Sequence, residues 1–426
     1  MRNSAFTKIV VVCIGIEVVV FVWLSSLGQD GFKKIVSSPD TVEYVQVAHA
    51  LAEKGQLIAS RRTLGYPMFM ALGYGLGGDL YGPQIVIAVQ LILNVVFTFL
   101  CWRLLERITP NVSVGLRAVA TLVFFWAGLG MALNLLSDFL ASFLFAVFLY
   151  GMLFWRKPLL CILSGSCLAV ATLTRPTFIL IPFLVPLSAF LVGRVTSKVP
   201  ASYVLVFIFS SLAATGASIV YQYRLSGYLG PSSVVSQNIG RMLSYDDYEE
   251  FRTKIADYAH LNSAGDLSPA EEEKYARELF WQELFASPQK IILPLLQTLV
   301  KYIFVPIEYV VAKFTVFIRD DATYVGYVRP VLFAVFLPMW ILFLIPPFRS
   351  ASKVIAFYSL TMILLLYILG ISLHTKDQGE RIRFPMLAFM LPVILCNGYN
   401  LWRRASTIWC FSLSSDRRNK AVSHST

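Results

Sequence analysis

Runs of about 20 apolar residues, each long enough to cross a bilayer, recur along most of this chain. They are read near 8–28, 82–102, 113–135, 138–155, 158–174, 177–193, 201–221, 329–347, 353–372 and 384–402. That many runs cannot share one water-excluding core, so lipid must act as solvent for most of them. Composition agrees: 57% of the 426 residues are hydrophobic and only 14% are charged, with a mean hydropathy of +0.67, against about 25% charged in soluble domains. The fold class expected is an all-α polytopic membrane protein with about ten transmembrane helices. The first run follows Lys8 and lacks a small-residue cleavage site, so it reads as a retained helix rather than a leader peptide.

The net charge of +11 would suit nucleic acid only if the basic residues formed a patch. They lie instead in short segments between the apolar runs. With the N-terminus in the cytoplasm and the spans alternating, the cytoplasmic segments hold sixteen Lys and Arg but only Glu106 and Asp416 as acids. This bias sets orientation. The six cysteines lie in or beside apolar runs with no paired spacing and read as small buried side chains.

The sequence divides into one transmembrane domain over 1–402 and a basic tail over 403–426. Two longer segments face the outside. The first, 29–81, has helical periodicity from Asp40 to Lys54. Val45, Ala48, Leu51 and Ala52 fall on one face, and Asp40, Glu43, Gln46 and Glu53 on the other, the pattern of a helix lying on the bilayer. The second, about 224–290, carries eleven acids and seven bases, with a helix start at Ser268-Pro269-Ala270-Glu271. Residues 289–318, with Lys301, Glu308 and Lys313 inside an apolar run, read as an interfacial or re-entrant helix. Internal repeats are absent.

Ionisable residues gather on the outer face: Asp40 and Glu43, Arg61 and Arg62, Asp138, Arg175, and the loop with Glu380, Arg381 and Arg383. External arginines run against the charge bias, and an anion is their simplest partner. Each cluster also has a plainer reading. Asp40 and Glu43 have the spacing of a capping box, Asp138 could cap the fourth span, and Arg175 could snorkel to the interface. The chemical alternatives are a general base at Asp40, substrate orientation or metal ligation at Asp138, and a phosphate clamp at Arg175. His49, His260, His374 and His424 make no metal spacing, so no metal site is assigned, and Gly73, Gly75, Gly77 and Gly78 read as close packing or a turn.

Four of these stretches, in order, resemble the GT-C superfamily of polytopic glycosyltransferases, in the branch of protein O-mannosyltransferases and lipid A aminoarabinose transferases. Asp40-Thr41-Val42-Glu43-Tyr44 resembles the first-loop motif, and Arg62-Thr63-Leu64-Gly65-Tyr66-Pro67 the R-x-P-G-Y-P stretch with Leu64 in place of proline. Leu173-Thr174-Arg175-Pro176 resembles the L-T-R/K-P turn. Glu380-Arg381-Ile382-Arg383-Phe384-Pro385 resembles the E-x-R-Y-x-x-P loop, one residue shorter and with Ile382 in place of tyrosine. Thr41 occupies the family's second acidic position, and Glu43 follows two residues later. The resemblance covers about 8–402 and implies transfer of a sugar from a polyprenyl-phosphate donor to a hydroxyl of a glycan, lipid or protein.

On this reading Asp40 is the catalytic base with Glu43 beside it. Tyr44, Arg61, Arg62, Tyr66, Asp138, Arg175, Arg381 and Arg383 contact substrate. No cofactor is demanded, though a divalent cation is compatible. One base and direct attack imply inversion at the anomeric carbon. The expected place is a plasma membrane, the inner one in a bacterium, with the site facing the periplasm or exterior. Two other classes fit in part. A transporter or flippase for an anionic or lipid-linked sugar would use the same arginines, but such proteins place functional charge near mid-bilayer and often show repeats. An O-antigen polymerase or ligase would have a different motif layout.

Overall fold

In the computed structural model, nearly all of residues 2–179 are described (save 39, 59–61, 155 and 156). So are 201–227, 248–261, 267–293, 329–346, 357–366 and 390–406 (save 404), with a few isolated positions between. The described residues are helical and contain no strand. The elements are α1 (Arg2–Ser26), α2 (Gly28–Val36), α3 (Thr41–Lys54), α4 (Gly65–Ile108), α5 (Val114–Ala132), α6 (Ser137–Phe154), α7 (Pro158–Thr174), α8 (Ala201–Ser226), α9 (Tyr248–Tyr258), α10 (Pro269–Ala286) and α11 (Arg329–Leu344).

Phe6–Ser26, Gly65–Ile108 and Val114–Ala132 are each long and apolar enough to cross a membrane, so the chain is an integral membrane protein. Ser137–Gly151, Leu159–Thr174 and Phe357–Leu366 are shorter apolar helices. The expected helices at 113–135, 138–155, 158–174, 201–221 and 329–347 therefore have counterparts. Most of 177–193, much of 353–372, the start of 384–402 and most of 289–318 lie outside the described residues, so the count of ten crossings stands as an expectation.

The helices that frame the functional end are fixed by a few sequence choices. Arg2–Ser26 exposes Val11, Val12, Val18, Val19 and Val22, the dress of a lipid-facing helix, and packs on α4 and α5. Its one inward acid, Glu17, accepts a hydrogen bond from Asn94 Nδ2 at 2.9 Å, an interhelical tie of the kind that holds membrane helices together.

α4 departs most from expectation. The sequence places a surface segment before a span at 82–102, whereas the helix starts at Gly65 and is broken only at Gly78, with φ 56° and ψ −160°. That backbone region is open to glycine and costly for other residues. The chain reverses there, because Tyr66 of the first limb donates to Gln90 of the second at 3.0 Å, while Gly73 lies against Val86.

α3 runs beside that first limb. Tyr44 meets Tyr66 edge-on at 5.1 Å, and His49 meets Tyr74 at 4.6 Å. Its buried stripe is Thr41, Tyr44, Val47 and Ala48, rotated from the expected Val45–Ala48–Leu51–Ala52 face toward the two aromatic partners.

α9 and α10 form a small core of their own around Phe251, Ile255, Ala276 and Leu279. The helix start expected at Ser268 is present as a full capping box: Glu271 N–H donates to the Ser268 hydroxyl, and the Glu271 carboxylate accepts from Ser268 N–H at 3.0 Å. The Ser268 contacts lower the Glu271 pKa from the ordinary glutamate value. The box is thus present above that range and lost as the pH falls through the lowered value. Ser268→Ala is expected to destabilise α10 by about 1 kcal/mol, read as faster amide exchange in its first turn with no change at α3.

Candidate functional site

Four chain segments meet at one end of the helices. Leu135 N–H donates to Val36 C=O at 2.9 Å, and Thr41 Oγ1 donates to Leu135 C=O at 3.1 Å. These bonds bring the start of α3 to the α5–α6 turn. Tyr44 and Ser137 share a hydroxyl–hydroxyl bond at 3.1 Å. Thr63 Oγ1 donates to Thr174 C=O at 2.8 Å, which docks the segment before α4 on the end of α7. At that junction a Cβ on Gly65 would stand 2.6 Å from the backbone of Leu173 and Thr174. Gly65→Ala must therefore push two backbones apart, and we expect a loss of at least about 1–3 kcal/mol, measured by thermal unfolding of the purified protein.

The charges at this junction form two ion-paired sets. In the first, Arg62 Nη2 donates to Asp40 Oδ1 at 2.8 Å and Arg62 Nε to Glu43 Oε2 at 2.7 Å. The guanidinium carbon also sits 5.8 Å from the Tyr44 ring centre, within cation–π range. Side-chain exposure is 14% for Arg62, 20% for Asp40 and 40% for Glu43, so the set is partly wet and open to an incoming group. Burial of Arg62 works against its charge. Tyr44, Asp40 and Glu43 outweigh that cost, and its pKa is raised from the ordinary arginine value. It stays a cation.

The second set is the pair of Arg175 with Asp138. Asp138 is 2% exposed and Arg175 13%, so this pair is far drier. Thr174 closes α7, and Arg175, extended at φ −142° and ψ 120°, turns toward the first turn of α6, where Asp138 sits.

These contacts revise the plainer readings. Asp40 occupies the position before α3 but makes no capping hydrogen bond; its carboxylate goes to Arg62, 22 residues away. Glu43 likewise serves Arg62. Asp138 lies inside the first turn of α6, which starts at Ser137, and pairs with Arg175 rather than capping the span. Arg175 does not snorkel, because it is bound to a buried carboxylate. Of the expected site residues, Asp40, Glu43, Tyr44, Arg62, Tyr66, Asp138 and Arg175 converge at this junction. Arg61, Arg381 and Arg383 lie outside the described residues.

Ser137, Gln90 and Thr63 belong to the same junction and were not anticipated. Gln90 is fully buried; besides its bond from Tyr66 it donates to Ala132 and Asn134 carbonyls at 2.7 and 2.9 Å. An amide inside an apolar run was the available signal. A buried amide needs such partners, and these three tie the first limb of α4 to the α5–α6 turn.

A half-buried carboxylate can take a proton from a hydroxyl. A carboxylate has about four lone-pair sites, so the Arg62 bond does not by itself close Asp40 to such chemistry. Two guanidinium groups face three carboxylates here, so a phosphate at this junction would take N–H donors shared with those carboxylates.

No family model matches the chain, and no curated protein matches it in sequence. Two crystal structures of ArnT from Cupriavidus metallidurans align with it. The one bound to undecaprenyl phosphate is 12% identical, with a TM-score of 0.39, over 91% of this chain and 78% of that one. The apo structure is 14% identical, with a TM-score of 0.37, over 92% and 78%.

Proposed function

We propose that the chain is an inverting glycosyltransferase that moves a sugar from a polyprenyl-phosphate carrier to an acceptor hydroxyl at the outer face of the membrane. The observation that supports this reading is the meeting of Asp40–Arg62–Glu43 with Asp138–Arg175 at one junction; all of these but Asp138 come from three of the four stretches that resemble the GT-C family.

The acceptor oxygen attacks the anomeric carbon from the face opposite the phosphate. The bond from that carbon to the phosphate oxygen breaks, and the lipid phosphate leaves with its electron pair. The acceptor proton passes to Asp40. Arg62, held between two carboxylates and already charged, turns part of its donor fork to the phosphate, with Arg175 as a second cation. Charge grows on the phosphate oxygens during this step, and donors preorganised in a poorly solvated site stabilise that growth best.

Glu43 is a positioning residue in this scheme. It fixes Arg62 through Nε and leaves the outer guanidinium nitrogens to Asp40 and phosphate. Glu43→Gln is therefore expected to cost less than Asp40→Asn, about tenfold or less. The test is purified protein in liposomes with a panel of polyprenyl-phosphate sugars and a hydroxyl acceptor, following release of lipid phosphate by mass spectrometry. Sugar transfer with inverted configuration is the expected result. Transbilayer movement of the intact donor with no bond broken would show a flippase instead.

A further inference from the structure

Outside the junction, one cluster of side chains is assembled by the fold and unused by the reaction. His49 Nε2 lies 2.9 Å from Asp79 Oδ1, and His49 Nδ1 lies 3.4 Å from Glu53 Oε1. One ligand atom from each of the three falls within 4.8 Å of the others. His49 and Glu53 are one turn apart on α3. Asp79 comes from the other arm and reaches them only because Gly78 reverses the chain immediately before it. The imidazole is set by the Tyr74 ring against its side.

We infer that His49, Glu53 and Asp79 form a divalent-cation site of the zinc class at the outer tip of the α3–α4 clasp. Asp79 faces Nε2 and Glu53 faces Nδ1, so an ion on Nε2 takes Asp79 where it stands and draws the Glu53 carboxylate round the ring. One imidazole nitrogen with two carboxylate oxygens is then a mixed set that Zn2+ accepts, with bonds of about 2.0–2.2 Å and water completing the shell. Side-chain exposure of 25% at His49, 62% at Glu53 and 73% at Asp79 gives an ion access, and the two exposed carboxylates have room to close on it. A bound ion would also neutralise two carboxylates that otherwise stand close together.

The site links two arms whose other ends carry the reactive junction. Asp40 precedes His49 by nine residues, about 13 Å along a helix. Tyr66, packed on Tyr44, opens the limb that runs up to the break at Gly78, next to Asp79. An ion at the tip fixes α3 against that limb, and so fixes the spacing of Asp40 and Tyr44 against Tyr66. Binding itself does not depend on the proposed reaction and is measured without substrate.

The test uses the full chain in lipid nanodiscs, stripped with chelator and then titrated with Zn2+. Wild type is expected to retain one ion per chain after desalting and to unfold at a higher temperature with it. Co2+ in its place should give visible absorption bands of a nitrogen- and oxygen-ligated ion. Glu53→Gln, an exposed and mild change, should weaken uptake at least about tenfold, and His49→Ala and Asp79→Asn at least as much. Wild type that takes up no stoichiometric Zn2+ overturns the site. Equal uptake by wild type and all three variants places the ion elsewhere and overturns it too.

Discussion

Asp40→Asn is expected to lower the rate of sugar transfer by about 10²–10⁴-fold while leaving the lipid-linked sugar bound. The change is close to isosteric and removes one property, the ability to accept a proton at neutral pH. The asparagine carbonyl can still accept from Arg62 Nη2, now 2.8 Å from Asp40 Oδ1. Arg62 also keeps Glu43 at 2.7 Å, so the start of α3 has little reason to move. Loss of rate with retained donor binding separates a base from a fold-holding acid. A variant that transfers sugar at the wild-type rate would remove Asp40 from the chemistry.

The second large effect is expected at Arg175. Asp138 is almost wholly buried, and Arg175 is its ion partner. Arg175→Ala leaves that carboxylate without its partner in a dry place, which costs about 3–5 kcal/mol in comparable pairs. The protein should unfold at a markedly lower temperature. Asp138→Asn combined with Arg175→Ala removes both charges and should recover most of that loss. If Arg175 also meets the donor phosphate, the stable double variant remains slow by about 10²-fold. A double variant with wild-type turnover would make the pair structural only, and one as unstable as Arg175→Ala would contradict the pairing as the source of the loss.

What the sequence could and could not reveal follows from the range of each interaction. Ser268 to Glu271 is a three-residue contact, and its capping box was legible letter by letter. The helices around Val114, Pro158 and Ala201 were legible because lipid selects for apolar composition over a whole span. Asp40 with Glu43 was ambiguous, since the same three-residue spacing serves a cap and a charged site. The residue that decides it, Arg62, lies 19 positions beyond Glu43. Alternation of spans could set Asp138 and Arg175 on one face but could not pair them across 37 positions.

The reversal at Gly78 was half legible, as one of the two readings open to its glycine cluster. Gly73, Gly75, Gly77 and Gly78 serve close packing or a turn equally well, and only long-range contacts such as Tyr66 with Gln90 decide for the turn. With the reversal went the meeting of His49 and Asp79, thirty residues apart, so spacing rules for metal ligands found nothing there. Gln90 carries the signal of an amide in an apolar run, but Gln84 and Asn94 share that run, and nothing local ranks the three. A buried amide needs partners, and those lie in a distant turn.

Mass spectrometry of cell-envelope glycans from cells with the gene, without it, and without it but carrying the intact gene on a plasmid tests the central claim most directly. The account predicts that one glycan, lipid or protein hydroxyl loses a single sugar mass when the gene is absent and regains it on complementation. Identical glycan profiles in all three would contradict it.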